Sequence, residues 1–347
     1  MEVVTTKNRV ALWDNLKVIL MMLVVITHSV NIYQLDGDYW IQFLWIPIMT
    51  FTMPAFMMIS GYWYKERTFT YSVVRYLYPC IVFSIVNYLI GSLAGAYPTL
   101  LEMANNIPLK SGWAMWYIWA LFIYAIITPL LLRVMGGVNN LLMCVFIIVF
   151  ICGFWFIPNH FFDAQRVLNF YPFYLLGIKI KKDKNDRIIK RDSTTRRKWM
   201  YVFLSCIIMY IVLTVKFHGF CYGTGFMSSH GFSILGLVSR WLNYLLCIIM
   251  SWSVIMIVPK YNTWFTQYGK RTMNVYMLHM AVIFILSFYM CRPVKHEWYA
   301  YILCIFVTPT ICSLLFSKKI DQVMSKVLNL PYLFINKNDQ SDYEYLR

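Results

Sequence analysis

Residues 12–33 read LWDNLKVILMMLVVITHSVNIY. Between Lys17 and His28 the stretch is almost wholly Leu, Ile, Val and Met, and its length matches the roughly 20 residues that a hydrocarbon core demands of a helix. Similar runs recur at 40–63, 74–96, 113–132, 141–157, 167–180, 200–216, 234–258, 273–290 and 298–316. Of the 347 residues, 60% are hydrophobic, 18% aromatic and 13% charged. A water-soluble domain carries roughly 25% charged residues. The solvent that suits this composition is a bilayer, and the expected fold is an all-α integral membrane protein of about ten transmembrane helices. The first run predicts a retained helix, because Asp14, Lys17 and His28 interrupt it and no small-residue cleavage site follows.

A net charge of +16 first suggests nucleic acid. The placement of the charge excludes that class of partner, since the cations sit in short segments between apolar runs. With a cytoplasmic N-terminus, ten crossings put all 31 Lys and Arg residues inside except Lys110, Arg166, Lys216, Arg240, Arg292 and Lys295. That is the bias expected of cytoplasmic loops, and it predicts that both ends are cytoplasmic. The first outer turn carries Asp36 and Asp38 instead. The stretch 179–198 is a basic cytoplasmic loop that orients the chain and attracts membrane lipid. Residues 1–320 are expected to form one membrane domain, and 321–347 a short polar tail on the cytoplasmic side. No internal repeat of the kind that builds paired-half transporters is visible.

The nine cysteines are scattered, without metal-ligand spacing or a disulfide framework, and a bridge between Cys221 and Cys291 is not expected. No metal and no phosphate-binding glycine loop is predicted. The outer stretches 97–112 and 217–233 are long for plain turns. The second is rich in Gly and Ser, contains His218 and His230, and is placed to cover a cavity.

Ionisable groups inside a span cost several kcal/mol unless they face a cavity or a partner. Lys17 and His28 are eleven residues apart, about three helical turns plus 20°, so they share one face roughly 16 Å apart along the axis. Asp14 and Asn31 extend the stripe at its two ends. On one reading Lys17 snorkels to the interface with Asp14 as its partner, and His28 packs helices. On the other, the cationic mouth receives the phosphate-rich end of an acyl-CoA and its slender arm brings a thioester to His28. An imidazole can take the proton of an attacking hydroxyl, and an acyl-imidazole route is also open. His279 lies about two turns into its own span, positioned either to support His28 and the donor channel or to satisfy a buried contact. His160, His218, His230 and His296 fall in outer segments. The cluster Trp113, Trp116, Tyr117 and Trp119 reads as an interfacial aromatic belt, with Trp116 and Trp119 also suited to stacking on a sugar ring.

Taken in order, several short blocks resemble the membrane-bound acyltransferase-3 family, nearest to its fucose 4-O-acetylase and intercellular adhesion protein C branch. They are Trp13-Asp14-Asn15-Leu16-Lys17 leading to His28, Met53-Pro54 followed by Ser60-Gly61-Tyr62, and Arg75 four residues before Pro79. They continue with Trp116 to Phe122, Phe173-Tyr174-Leu175-Leu176-Gly177, and Tyr276-Met277-Leu278-His279. The family's arginine, ten residues and histidine map onto Lys17 and His28. Lysine keeps the charge but loses the bidentate fork. The family's paired arginines before the helix 3 proline are reduced to Arg75.

The resemblance implies acyl transfer in a bacterial cytoplasmic membrane, usually of acetyl from acetyl-CoA, onto a hydroxyl of a cell-surface glycan or its lipid-linked precursor. On this reading His28 is the catalytic base, Lys17, Asp14, Arg75 and His279 are donor-binding or supporting residues, and Trp116, Trp119 and Asn31 are expected on the acceptor side. A glycan translocator without catalysis is the competing reading. It would tolerate loss of His28.

Overall fold

The computed structural model describes residues 10–33, 39–95, 113–152, 163–183, 187–216, 234–291 and 298–334. The expected loops 97–112 and 217–233, His160, His218, His230, His296, Cys221 and the end of the tail lie outside these residues. Among the described residues all regular structure is helical. The helices are α1 (Ala11–Ile32), α2 (Tyr39–Tyr62), α3 (Phe69–Leu93), α4 (Trp116–Val134), α5 (Val138–Cys152) and α6 (Ala164–Lys182). They continue as α7 (Ser193–Lys216), α8 (Ile234–Ile257), α9 (Thr272–Leu286), α10 (Trp298–Phe316) and α11 (Lys318–Asn329).

Among the described residues, six segments are long and apolar enough to cross a membrane: Ala11–Ile32, Phe69–Leu93, Trp116–Val134, Val238–Ile257, Thr272–Tyr289 and Trp298–Phe316. The surface agrees with a lipid solvent. Helix α3 exposes Ile81, Ile85, Leu89 and Leu93 at four-residue spacing while it buries Cys80, Ser84, Asn87 and Gly91. Helix α7 likewise exposes Tyr201, Leu204, Ile208 and Val212. Apolar stripes facing outward and polar groups facing inward invert the soluble pattern, and water would not tolerate patches of that size. The chain is a multi-pass membrane protein.

Helix α1 occupies the middle of the bundle, against α2, α9, α10 and the loop before α9. Its hydroxyls are satisfied locally, Thr27 Oγ1 donating to the Val24 carbonyl at 2.8 Å and Ser29 Oγ to that of Val25 at 2.8 Å. Groups that cannot reach water must bond within their own helix or to a neighbour. At its far end Tyr33 shares a 2.7 Å hydroxyl hydrogen bond with Thr308 of α10.

The most extensive helix pair is α2 with α6, and two glycines explain it. A Cβ on Gly61 would overlap the Tyr174 carbonyl, and one on Gly177 would overlap the Met58 carbonyl. Without side chains at these crossings the backbones touch, the close approach on which helix pairs in lipid depend.

In α3 the turn Val73–Leu77 is π-helical. Pro79 supplies no N–H to the carbonyl four residues earlier, at Arg75, so the helix widens there. Residue 321, where the sequence predicts the polar tail to begin, falls inside α11. That helix packs on the body through buried Met324, an Arg271–Asp321 ion pair of 3.4 Å and an Asn274–Asp321 hydrogen bond of 2.8 Å. Its sequence hides this because a strongly amphipathic helix has low average hydropathy.

Candidate active site

The head of α1 is fixed by the chain just before α9. Asn15 Nδ2 donates to the carbonyls of Pro259 and Tyr261, each at 2.9 Å, while its Oδ1 accepts from Thr263 at 3.0 Å and Thr266 at 2.6 Å. Gly269 lies so close to Asp14 that a Cβ there would strike the Asp14 side chain. Asp14 is buried, and it forms a 2.8 Å ion pair with Lys17, whose side chain is 25% exposed. The carboxylate is sealed and the ammonium stays accessible.

Deeper along α1, His28 meets His279 of α9, ring centroids 5.2 Å apart at 44°. His28 is half-buried and His279 fully buried. His279 Nδ1 lies 2.7 Å from the Tyr276 carbonyl and 3.1 Å from that of Val275. Carbonyls only accept, so Nδ1 carries the hydrogen and Nε2 holds the lone pair. That Nε2 has no hydrogen-bond partner among the described residues. One imidazole with a fixed tautomer thus sits against a second that is half-buried.

Tyr276 completes the framework. Its hydroxyl donates to the Ala114 carbonyl. It thereby ties α9 to the turn that leads into α4. Cys80, midway along α3, also reaches this turn, its thiol 3.8 Å from the Met115 carbonyl. Helix α4 therefore begins beside the middle of α3 and not beside its outer end.

This corrects the reading of Trp116 and Tyr117 as a surface belt. Both are buried. Trp116 packs on Phe170 at 4.9 Å and beneath the Arg166 guanidinium at 5.6 Å. Tyr117 shares a 2.6 Å hydroxyl contact with Ser60 and stacks edgewise on Tyr276 at 5.4 Å. Trp119 is half-buried against Phe122 at 5.7 Å. Hydropathy alone cannot distinguish an aromatic group at the membrane rim from one at a helix start sunk into the bundle.

Of the other predicted residues, Asn31 is half-buried one turn beyond His28. Arg75 is half-buried in the π turn of α3, and among the described residues no hydrogen bond or ion pair joins it to Lys17 or His28. The structure thus brings together Asp14 with Lys17 and His28 with His279, and leaves Arg75 apart. Sequence reasoning missed Asn15, Tyr276 and Arg166. Arg166 is paired with Asp163 at 3.3 Å and lies over the Trp116 ring. Asp163 precedes α6 in the left-handed conformation, φ 50°, and no hydropathy signal marks that turn.

A second correction concerns Arg240, expected on the outer surface. It lies in the second turn of α8 with 1% of its surface exposed. Its Nη2 donates to the Val149 carbonyl at 3.0 Å and to Asn169 Oδ1 at 2.7 Å. Among the described residues no group of three or more His, Cys, Asp or Glu could hold a metal ion.

The imidazole pair of α1 and α9 lies within a many-helix membrane body. The chain belongs to the acyltransferase-3 family, whose model, described as an acyltransferase domain, matches residues 10–318. It is therefore a multi-pass membrane protein that carries an acyltransferase-3 domain. It is similar to the nodulation protein NolL of Mesorhizobium japonicum (strain LMG 29417 / CECT 9101 / MAFF 303099), with 28% identity over 221 residues. That match covers 59% of this chain and 56% of NolL, so the chain spans little more than half the length of the relative. No solved structure matches it.

Proposed function

We propose that this acyltransferase moves an acyl group, acetyl foremost, from cytoplasmic acyl-CoA to a hydroxyl of a cell-surface glycan or its lipid-linked precursor. The observation that carries the reading is the His28–His279 contact of 5.2 Å at the inner end of the stripe that begins with the Asp14–Lys17 pair. Lys17 receives the phosphates of the donor, with Arg75 as a further donor-binding cation, and the thioester lies beside His28. His28 takes the proton of the acceptor hydroxyl as its oxygen attacks the thioester carbon. The C–O bond forms, the C–S bond breaks, and the proton passes to the leaving thiolate, giving free CoA and an ester. His279, its tautomer set by the Tyr276 carbonyl, holds the His28 ring in place. Trp116, Trp119 and Asn31 line the acceptor side. A positioned base of this kind is worth roughly 10²–10⁴-fold in rate.

We place the chain in a bacterial cytoplasmic membrane with ten crossings and both termini cytoplasmic, in one domain spanning about 1–320. The distribution of Lys and Arg supports this layout. Lysine at position 17 supports the fucose 4-O-acetylase-like branch.

The test is mass spectrometry of surface glycans from cells carrying the wild-type chain or His28→Ala, with membrane insertion checked by blotting. The expected result is loss of the acyl mass in the variant at unchanged protein level. Full acyl content with His28→Ala would remove His28 as the base, and unchanged acyl content with altered export would favour a translocator.

A further inference from the structure

Helix α11 starts just past the last span. Phe316 ends α10, Ser317 is extended (φ −64°, ψ 152°), and its hydroxyl accepts from the Ile320 N–H at 3.4 Å, which caps the new helix. The chain therefore turns sharply where it leaves the hydrocarbon. Two contacts set the direction that α11 then takes. Near its start Asp321 accepts from Asn274, in the first turn of α9, and pairs with Arg271. Further on, the Val327 carbonyl accepts from the Tyr78 hydroxyl of α3 at 3.1 Å. From 321 to 327 a helix rises about 9 Å. Helices that pack on each other, as α3 and α9 do, stand about 8–10 Å apart. Helix α11 thus steps from one span to its neighbour and lies across them, at the level where α9 begins and α10 ends.

The helix has three distinct sides. Met324 is buried against the bundle, and Ile320 and Val327 are half-buried beside it. Roughly opposite, Lys318, Gln322, Ser325 and Asn329 are all polar and all exposed. On one flank between these sides stand Lys319, Val323, Lys326 and Leu330, which fall within about 60° of one another at 100° per residue. Leu330 keeps helical φ and ψ (−53°, −45°), so the stripe continues to the end of the helix. Val323 is 59% and Leu330 49% exposed, and both lysines are exposed. Asp321 is the one carboxylate of α11 and is engaged with α9, so the flank itself carries no acidic group.

We propose that α11 lies in the plane of the membrane surface and seats this flank on anionic lipid. Val323 and Leu330 enter the upper acyl region, and Lys319 and Lys326 meet headgroup phosphates. Level, composition and charge select that occupant. The flank stands at the ends of the spans, where headgroups begin, and the turn before α11 already faces lipid with Leu314 67% exposed. Apolar side chains interleaved with long cationic arms suit an interfacial helix, because the methylene stems follow the acyl boundary while the ammonium groups reach the phosphates. A protein partner fits this flank poorly, since lysine is depleted from protein–protein contacts. The charge sets the class of lipid, each lysine near an anionic surface favouring it by about fivefold. This placement is independent of the chemistry at the imidazole pair.

The test puts photoreactive benzoylphenylalanine singly in place of Gln322, Val323, Ser325 or Leu330 in the full chain. Each protein is held in nanodiscs of phosphatidylcholine and phosphatidylglycerol in equal amounts, and lipid adducts are counted by mass spectrometry. Adducts are expected at 323 and 330 and not at 322 or 325. Phosphatidylglycerol should outnumber phosphatidylcholine among them by at least about fivefold. Lys319→Gln combined with Lys326→Gln should bring the two lipids to parity while thermal unfolding stays unchanged, and Lys319→Arg with Lys326→Arg should keep the preference. Adducts spread evenly over the four positions, adducts to protein in place of lipid, or parity of the two lipids in the chain with both lysines would overturn the proposal. A preference for phosphatidylglycerol that survives loss of both lysines would overturn it as well.

Discussion

Asn15 stands beside the two residues that carry charge at the head of α1, and its amide makes four hydrogen bonds to the 259–266 segment. An amide that both donates twice and accepts twice has no isosteric replacement among the other side chains. Asn15→Ala would leave two carbonyls and two hydroxyls without these partners, at about 1–3 kcal/mol for each buried group left unsatisfied. Asp14, pressed on Gly269, would lose its fixed position, and Lys17 with it. The expected outcome is a lower melting temperature in detergent and faster tryptic cutting at Lys260 and Lys270, with a raised KM for acyl-CoA. Unchanged proteolysis would show that the clamp is dispensable. The sequence displays Asp14, Lys17 and His28 because charge in an apolar run is conspicuous. Asn15 is quiet by the same measure, since an uncharged amide beside two ionic groups adds no separate signal. Tyr276 is quieter still, because its role depends on where α4 begins.

The elements are held by contacts that hydropathy does not encode. Gly61 and Gly177 look like ordinary small residues in apolar runs, yet each occupies the point where a backbone carbonyl of the partner helix would meet its Cβ. Lipid offers little hydrophobic drive for helix association, so the α2–α6 pair relies on this close fit. A side chain at either site forces the helices apart, and overpacking of a fitted contact costs typically about 1–3 kcal/mol. Gly177→Val should therefore lower the midpoint of thermal unfolding, read by reactivity of the buried thiols Cys206 and Cys247. Gly177→Ala should do so by less. The same substitution at Gly137, whose Cβ would meet only the tip of Lys182 at 4.0 Å but whose φ is +140°, acts through backbone strain and should spare the α2–α6 contact. Equal thiol exposure in the two variants would argue against the interface account.

At the scale of the molecule, the class of fold was legible because a bilayer imposes length and apolarity on each span, and those are properties of composition. Helical segments fall on the predicted runs, and six satisfy length and apolarity for crossing. Depth was not legible. Arg240, counted as an outer cation, is sealed inside α8, and α4 starts within the bundle beside Cys80. Hydropathy averages over a window and cannot report which face of a helix a charge occupies. The predicted orientation survives this correction physically, because a cation buried among helices belongs to neither side and drops out of the bias. The segment before α7 gives the sharpest test of orientation. Arg191 is buried and donates to the Val258 carbonyl, and Arg196 donates to that of Ile257 at 2.7 Å. These cations therefore sit on the C-terminal end of α8, where the helix dipole favours positive charge, and the two connections must share one side of the membrane. Ser193 is exposed at the start of α7. In intact cells, Ser193→Cys should resist an impermeant maleimide added from outside and react once the membrane is opened. Lys318→Cys, exposed at the start of α11, should behave in the same way if the C-terminus is cytoplasmic. Opposite labelling of the two sites would mean an odd number of crossings between them and would overturn the ten-helix layout, whereas labelling of both from outside would invert the orientation and leave the count intact.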